Sequence, residues 1–268
     1  MTVSFAVDGD HKADDLFFLK LFLFNRRIGH RDFSLLIIDK IIAYVNKIKK
    51  RMRYSMEIFM YGETEKNHLR FSDETMNRLI GSLGHVERAV EPDIFKALVS
   101  SIISQQISTK AAETVKERLS QKAGEISAES ISGLSFDELR SCGLSGRKTE
   151  YILGAARASI ERKIDFNALH SMEDQEVIDT LVSLKGVGVW TAEMMLIFSL
   201  QRPNVFSYLD LGIRRGIMRA YGLKELSKTD FELLRSKLTP YCTVASLYFW
   251  KLAGMDNWES VLYQEEWI

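Results

Sequence analysis

The stretch Leu184-Lys185-Gly186-Val187-Gly188-Val189-Trp190-Thr191-Ala192 decides how the rest of the chain is read. It sets a short loop with two glycines between two apolar segments of helical period. Val177, Ile178, Leu181, Val182 and Leu184 give the inner face of the helix before the loop; Trp190, Met194, Ile197 and Phe198 give that of the helix after it. Gly186 and Gly188 permit positive φ and close backbone approach. Such a hairpin leaves successive N–H groups unpaired at a helix N-terminus, which is a site for a phosphate oxygen. The next turn region, Tyr208-Leu209-Asp210-Leu211-Gly212, carries a single carboxylate.

Outward from the hairpin the pattern stays helical. Ser72 is a candidate N-cap for Met76, Leu79, Ile80 and Leu83, with Gly84 as the stop. Pro92-Asp93 opens a segment whose buried face is Phe95, Leu98, Val99, Ile102 and Ile103, and Ser108 caps the helix that follows. Ser135 with Glu138, Ser171 with Asp174 and Ser227 with Asp230 read as capping boxes. Gly143-Leu144-Ser145-Gly146-Arg147-Lys148 turns into a helix with Tyr151, Ile152, Ala155 and Ala156 inward. The body from about residue 56 is thus expected to be all-α, with about eight to ten short helices and no internal repeat.

Composition narrows the class. With 268 residues, 46% hydrophobic, the chain is long enough for a substantial core in one or two domains. Lys+Arg and Asp+Glu both number 36, so any contact with a polyanion must rest on local charge rather than net charge. Two basic runs qualify: Arg140 to Lys163, and Arg214, Arg215, Arg219 and Lys224; solvated helix faces would produce them too. Cys142 and Cys242 stand far apart, which suggests a reducing, cytoplasmic setting and excludes a cysteine-ligated iron–sulfur cluster. The five histidines are scattered and form no metal-ligand spacing.

Residues 1–55 read differently. Leu16 to Phe24 is very apolar but interrupted by Lys20 and too short to span a bilayer. Asp8, Asp10, Asp14 and Asp15 precede it, and no small-residue cleavage site follows, so it is a poor signal peptide. A second apolar stretch, Leu35 to Val45, runs into Lys47, Lys49, Lys50, Arg51 and Arg53. This extension is read as a pair of extra helices or as sequence upstream of Met56, dispensable for any chemistry; a membrane-surface or nucleic-acid arm is the alternative.

Taken together, Ile103-Ser104-Gln105-Gln106-Ile107-Ser108, the Gly143–Lys148 turn, the hairpin, Val205-Phe206 and Asp210-Leu211-Gly212 resemble the helix–hairpin–helix DNA glycosylases with their Gly/Pro-rich loop and following aspartate. Within that superfamily the chain is most similar to the 3-methyladenine DNA glycosylase II family, over roughly residues 56–268. The resemblance implies two helical lobes with an active-site cleft between them. Residues 94–202 would hold the hairpin, and residues 56–93 with 203–268 would form the second lobe. Two departures sharpen it. Strand-cutting relatives carry a nucleophilic lysine where this chain has Trp190, so Schiff-base chemistry lacks its amine. The β-rich N-terminal domain of the best-known bacterial enzyme is not evident in residues 1–55.

By that resemblance Asp210 is the catalytic residue, although Asp is also a favoured N-cap and the two roles are compatible. Trp190, Tyr241, Tyr208 and Phe206 would form the base pocket, and Tyr248 and Trp250 could line the same cleft, with core packing the favoured role for Phe206 and Trp250. Tyr241 stands where the family has a pocket tryptophan. Gln106 would fill the gap left by a flipped nucleotide, with Gly186, Gly188 and Thr191 at the DNA backbone. Backbone carbonyls of Val182, Leu184 and Val187 would hold a structural monovalent cation, and no other cofactor is required. The expected partner is damaged double-stranded DNA bound by a monomer, with no membrane. A glycosylase for another lesion, or a non-catalytic DNA-binding module, are the competing readings. Asp210 discriminates the latter, which has no need of a carboxylate beside an anionic backbone.

Overall fold

The computed structural model describes residues 57–262, so the expectations for residues 1–55 fall outside the described residues. Among the described residues the backbone forms thirteen α-helices and one 3-10 helix. Extended pairing there is confined to an isolated antiparallel bridge between Ile58 and Ala89. The count exceeds the expected eight to ten because helices as short as Ala128–Ser132 and Glu259–Leu262 are below the length at which a period shows.

Helix α1 (Glu63–Ser72) and helix α2 (Glu74–Leu83) are separated by one residue. Asp73, not Ser72, caps α2: its carboxylate accepts from the N–H groups of Thr75 and Met76 at 3.0 and 3.1 Å. Ser72 belongs to α1, where its hydroxyl donates to the His68 carbonyl. Then follow α3 (Ile94–Ser104), α4 (Thr109–Ala123), α5 (Ala128–Ser132), α6 (Phe136–Ser141) and α7 (Gly146–Ile160). Asp93, Ser108, Ser135 and Ser145 cap α3, α4, α6 and α7 through their side chains. Helix α8 (Asp174–Val182) is capped by Glu173 with Glu176, because Ser171 is taken up in the preceding 3-10 turn and donates to the Ala168 carbonyl. The remainder is α9 (Val189–Phe198), α10 (Leu211–Tyr221), α11 (Lys228–Leu238) with its Ser227 cap, α12 (Cys242–Ala253) and α13 (Glu259–Leu262).

The apolar side chains gather into two cores, one per lobe. The first runs from Ile94 to Val205 and includes the hairpin; the second joins Phe59–Val86 to Phe206–Val261. Trp250 packs against both. Helix α9 buries Thr191, Ala192, Met194, Met195, Leu196 and Ile197, so it is enclosed on nearly every side. Ahead of the hairpin, Val177, Leu181 and Leu184 are buried, whereas Val182 is exposed rather than part of the inner face.

Within the second lobe α10 packs closely on α12. A Cβ on Gly216 would lie 2.1 Å from the Phe249 carbonyl oxygen, and one on Gly212 would lie 2.7 Å from Trp250 Cδ1. These two glycines, four apart and therefore on one helix face, let the backbones approach and bring Trp250 to the start of α10. No helix among the described residues is long and apolar enough to cross a membrane.

Candidate active site

Asp210 sits at the junction of the lobes with both carboxylate oxygens engaged. It is the N-cap of α10, with Oδ1 accepting from the Ile213 N–H at 2.8 Å. The same oxygen accepts from the Trp250 indole at 2.8 Å, and Oδ2 accepts from the Trp190 indole at 2.9 Å. Only 8% of the residue is exposed. Cap and clasp therefore coexist, and Gly212 is what admits the second indole: a Cβ there would also stand 3.0 Å from Trp250 Nε1 and from Asp210 Oδ1.

Trp190 reaches Asp210 from the first turn of α9, so the hairpin and the acid are joined across the lobes by a single hydrogen bond. Trp250 does more than pack against its apolar neighbours. Its half-buried indole N–H needs an acceptor, and that requirement is the signal the sequence carries.

The hairpin is built as its glycines suggest, but unequally. Gly186 has φ +85°, in the left-handed region. Gly188 does not: it is extended, with φ −101° and ψ 173°, and serves as the N-cap of α9 without a side-chain bond. Among the described residues no protein group accepts from the N–H of Gly186, Gly188, Val189 or Trp190. These are the unpaired donors of a helix N-terminus and its loop, suited to an oxyanion. Thr191, one residue on, is buried.

Beside the hairpin the two glutamines diverge. Gln105 is half-buried and its amide donates to the Gly186 carbonyl at 3.1 Å. Gln106 points to solvent from a left-handed backbone, φ 56°. Lys148 fixes this turn, its ammonium donating to the carbonyls of Ile103 and Gln105 at 2.8 and 2.6 Å. Desolvation pushes the Lys148 amine below its ordinary value. A cleft of about 490 Å³ opens here between Gln105, Gln106, Arg147, Lys148, Tyr151 and Trp190.

The remaining candidates are not all brought to this place. Phe206 is buried in the second core, stacked on Phe231 at 4.3 Å, and presents no face to a cleft. Tyr208 is half-buried, with its ring edge-on to Phe231 and beneath the Arg214 guanidinium at 4.8 Å. Tyr241 precedes α12 and stands edge-on to His68, 5.2 Å between centroids. Some of the basic run is consumed internally: the Arg219 guanidinium donates to the carbonyls of Leu252, Ala253 and Met255 at the end of α12. Among the described residues no cluster of three or more His, Cys, Asp or Glu side chains converges as metal ligands.

Two helical lobes, a helix–hairpin–helix with free amides and an acid held at its mouth define a class of protein. Residues 99–240 match the HhH-GPD superfamily of base excision DNA repair proteins, and the chain belongs to that family. DNA-3-methyladenine glycosylase 1 of Schizosaccharomyces pombe is 31% identical over 199 residues, which are 71% of this chain and 87% of that protein. A crystal structure of DNA-3-methyladenine glycosidase from Bacillus halodurans is similar with a TM-score of 0.68 and 36% identity, covering 75% of this chain and 94% of that one. The structure of the Schizosaccharomyces pombe 3-methyladenine DNA glycosylase in complex with abasic DNA is similar with a TM-score of 0.65 and 29% identity, covering 72% and 98%.

Proposed function

We propose that the protein is a monofunctional DNA glycosylase that hydrolyses the N-glycosidic bond of alkylated purines such as 3-methyladenine and 7-methylguanine, leaving an abasic site. The observation that carries this is the Asp210 carboxylate, held by the indoles of Trp190 and Trp250 beside a hairpin with unpaired amides. As the base departs, positive charge grows on the deoxyribose, and a preorganised carboxylate in a dry site stabilises it more than it would in water. Alkylation makes the purine cationic, so it leaves with little help from a general acid and stacks well on electron-rich rings. The target nucleotide must first be flipped out of the duplex. The hairpin amides hold the backbone without reading sequence. Trp190 offers no amine, so no covalent attachment to the sugar is expected.

A monovalent cation suits the hairpin's acceptors. Among the described residues the carbonyls of Val182 and Val187 accept no hydrogen bond, and that of Leu184 accepts only from the Val187 N–H. Those three oxygens would hold the ion, whose charge would favour an approaching phosphate.

The test is release of base from methylated duplex DNA by the wild type and by Asp210→Asn. Asparagine is an equally good N-cap, so α10 keeps its cap; its amide cannot accept from both indoles, so one tryptophan bond is lost with the charge, and release should slow by about 10²- to 10³-fold. Undiminished release by the variant would refute the assignment of Asp210. A protein–DNA adduct trapped by borohydride would refute the monofunctional reading.

A further inference from the structure

Helix α9 carries one ionisable side chain, Glu193, in an otherwise apolar and enclosed segment. It follows Trp190 by three residues, so the two side chains leave the same face of the helix. Both reach the same turn of the other lobe. The Trp190 indole donates to Asp210 Oδ2 at 2.9 Å, and the Ser207 hydroxyl donates to Glu193 Oε2 at 2.5 Å. Ser207 is fully buried, and its carbonyl accepts from the Asp210 N–H at 3.3 Å. One helix thus grips the turn Ser207–Asp210 at both ends, by a donor at the carboxylate and an acceptor at the hydroxyl.

We infer that Glu193 is a positioning residue for Asp210, tying the turn that carries the carboxylate to the hairpin helix through Ser207. The inference rests on the glycosylase reading of Asp210 and deepens it. An acid half-enclosed by protein and facing a second carboxylate is an unfavourable choice for mere packing. Burial raises the Glu193 carboxyl above its ordinary value; Ser207 and the Arg235 guanidinium oppose that rise, and Asp210 adds to it. An acceptor aimed at a buried hydroxyl is what the site uses. Without it Ser207 keeps an unpaired donor, and the turn loses one of its two attachments to α9. The carboxylate would keep its bonds to Trp190, Trp250 and Ile213, but its turn would then be tied to α9 through Trp190 alone.

The experiment pairs base release from methylated duplex with the indole N–H resonances of the four tryptophans. Glu193→Ala and Ser207→Ala should each move the Trp190 indole signal. Each should also lower kcat by about ten- to a hundredfold, the scale that small misplacement of a reacting group costs, with KM unchanged. The double variant should be no worse than either single one, because both cut the same tie. Glu193→Gln keeps an acceptor oxygen for Ser207 and should restore both readouts. An unmoved Trp190 signal in Glu193→Ala, or a Glu193→Gln as impaired as Glu193→Ala, would overturn the inference. A wild-type protein inert toward methylated DNA would refute the glycosylase reading alone, and the indole signal would still decide whether Glu193 holds Asp210.

Discussion

The ring of Tyr151 lies directly against the Cα of Gly186: a Cβ built on that glycine would stand 2.1 Å from Tyr151 Cδ2. Helix α7 is thereby pressed onto the hairpin, and the glycine is demanded twice, by that contact and by its φ of +85°. Gly186→Ala is expected to cost about 2–4 kcal/mol, combining overpacking against an aromatic ring with a left-handed backbone. Urea denaturation reads this as a lower midpoint at unchanged m value. A loss below about 1 kcal/mol would show that Tyr151 swings aside freely.

Tyr151 also illustrates what the sequence made legible. Its helical spacing with Ile152, Ala155 and Ala156 marks an inward face, as do the spacings around the hairpin, and the caps at Ser108, Ser135 and Ser227 mark helix starts. These are local signals, set by the 3.6-residue period and by orphan N–H groups within one turn. Two caps were misplaced by one or two residues, at Ser72 and Ser171, because a neighbouring turn claimed the serine and an acidic residue took over. What was not legible is long-range. Trp250 lies forty residues from Asp210, and only the close approach permitted by Gly212 and Gly216 makes its indole a partner of the carboxylate. Phe206 and Trp250 look alike as apolar positions. The fold buries one against Phe231 and turns the other to the acid.

Lys148 takes the place of a C-cap for α3. Its two bonds, to the carbonyls of Ile103 and Gln105, hold the turn in which Gln105 reaches Gly186 and Gln106 adopts φ 56°. Lys148→Met preserves the length of the side chain and removes both donors. The expected cost is about 1–3 kcal/mol, the range for hydrogen bonds to a charged group. The Gln105–Gln106 turn should also become more mobile, measured as faster amide exchange at residues 104–108 with no change in α10 or α12. Equal loosening of all helices would mean that the lysine supports the whole lobe rather than this turn.

Gly188 makes the opposite case to Gly186. Its φ is −101°, and a Cβ there meets nothing within 4 Å, so alanine fits the folded chain. The loss of stability should stay at about 0.5–1 kcal/mol, the margin of glycine over alanine at an N-cap. The added methyl instead enters the open space beside the hairpin's unpaired amides, where, on the proposed function, a phosphate would come close. Because amides of the main chain read no base, Gly188→Ala should weaken binding to undamaged and methylated duplex by the same factor. Fluorescence anisotropy with both duplexes, at one salt concentration, makes the comparison. A loss confined to the methylated duplex would place Gly188 in the base pocket and remove the hairpin from the backbone contact.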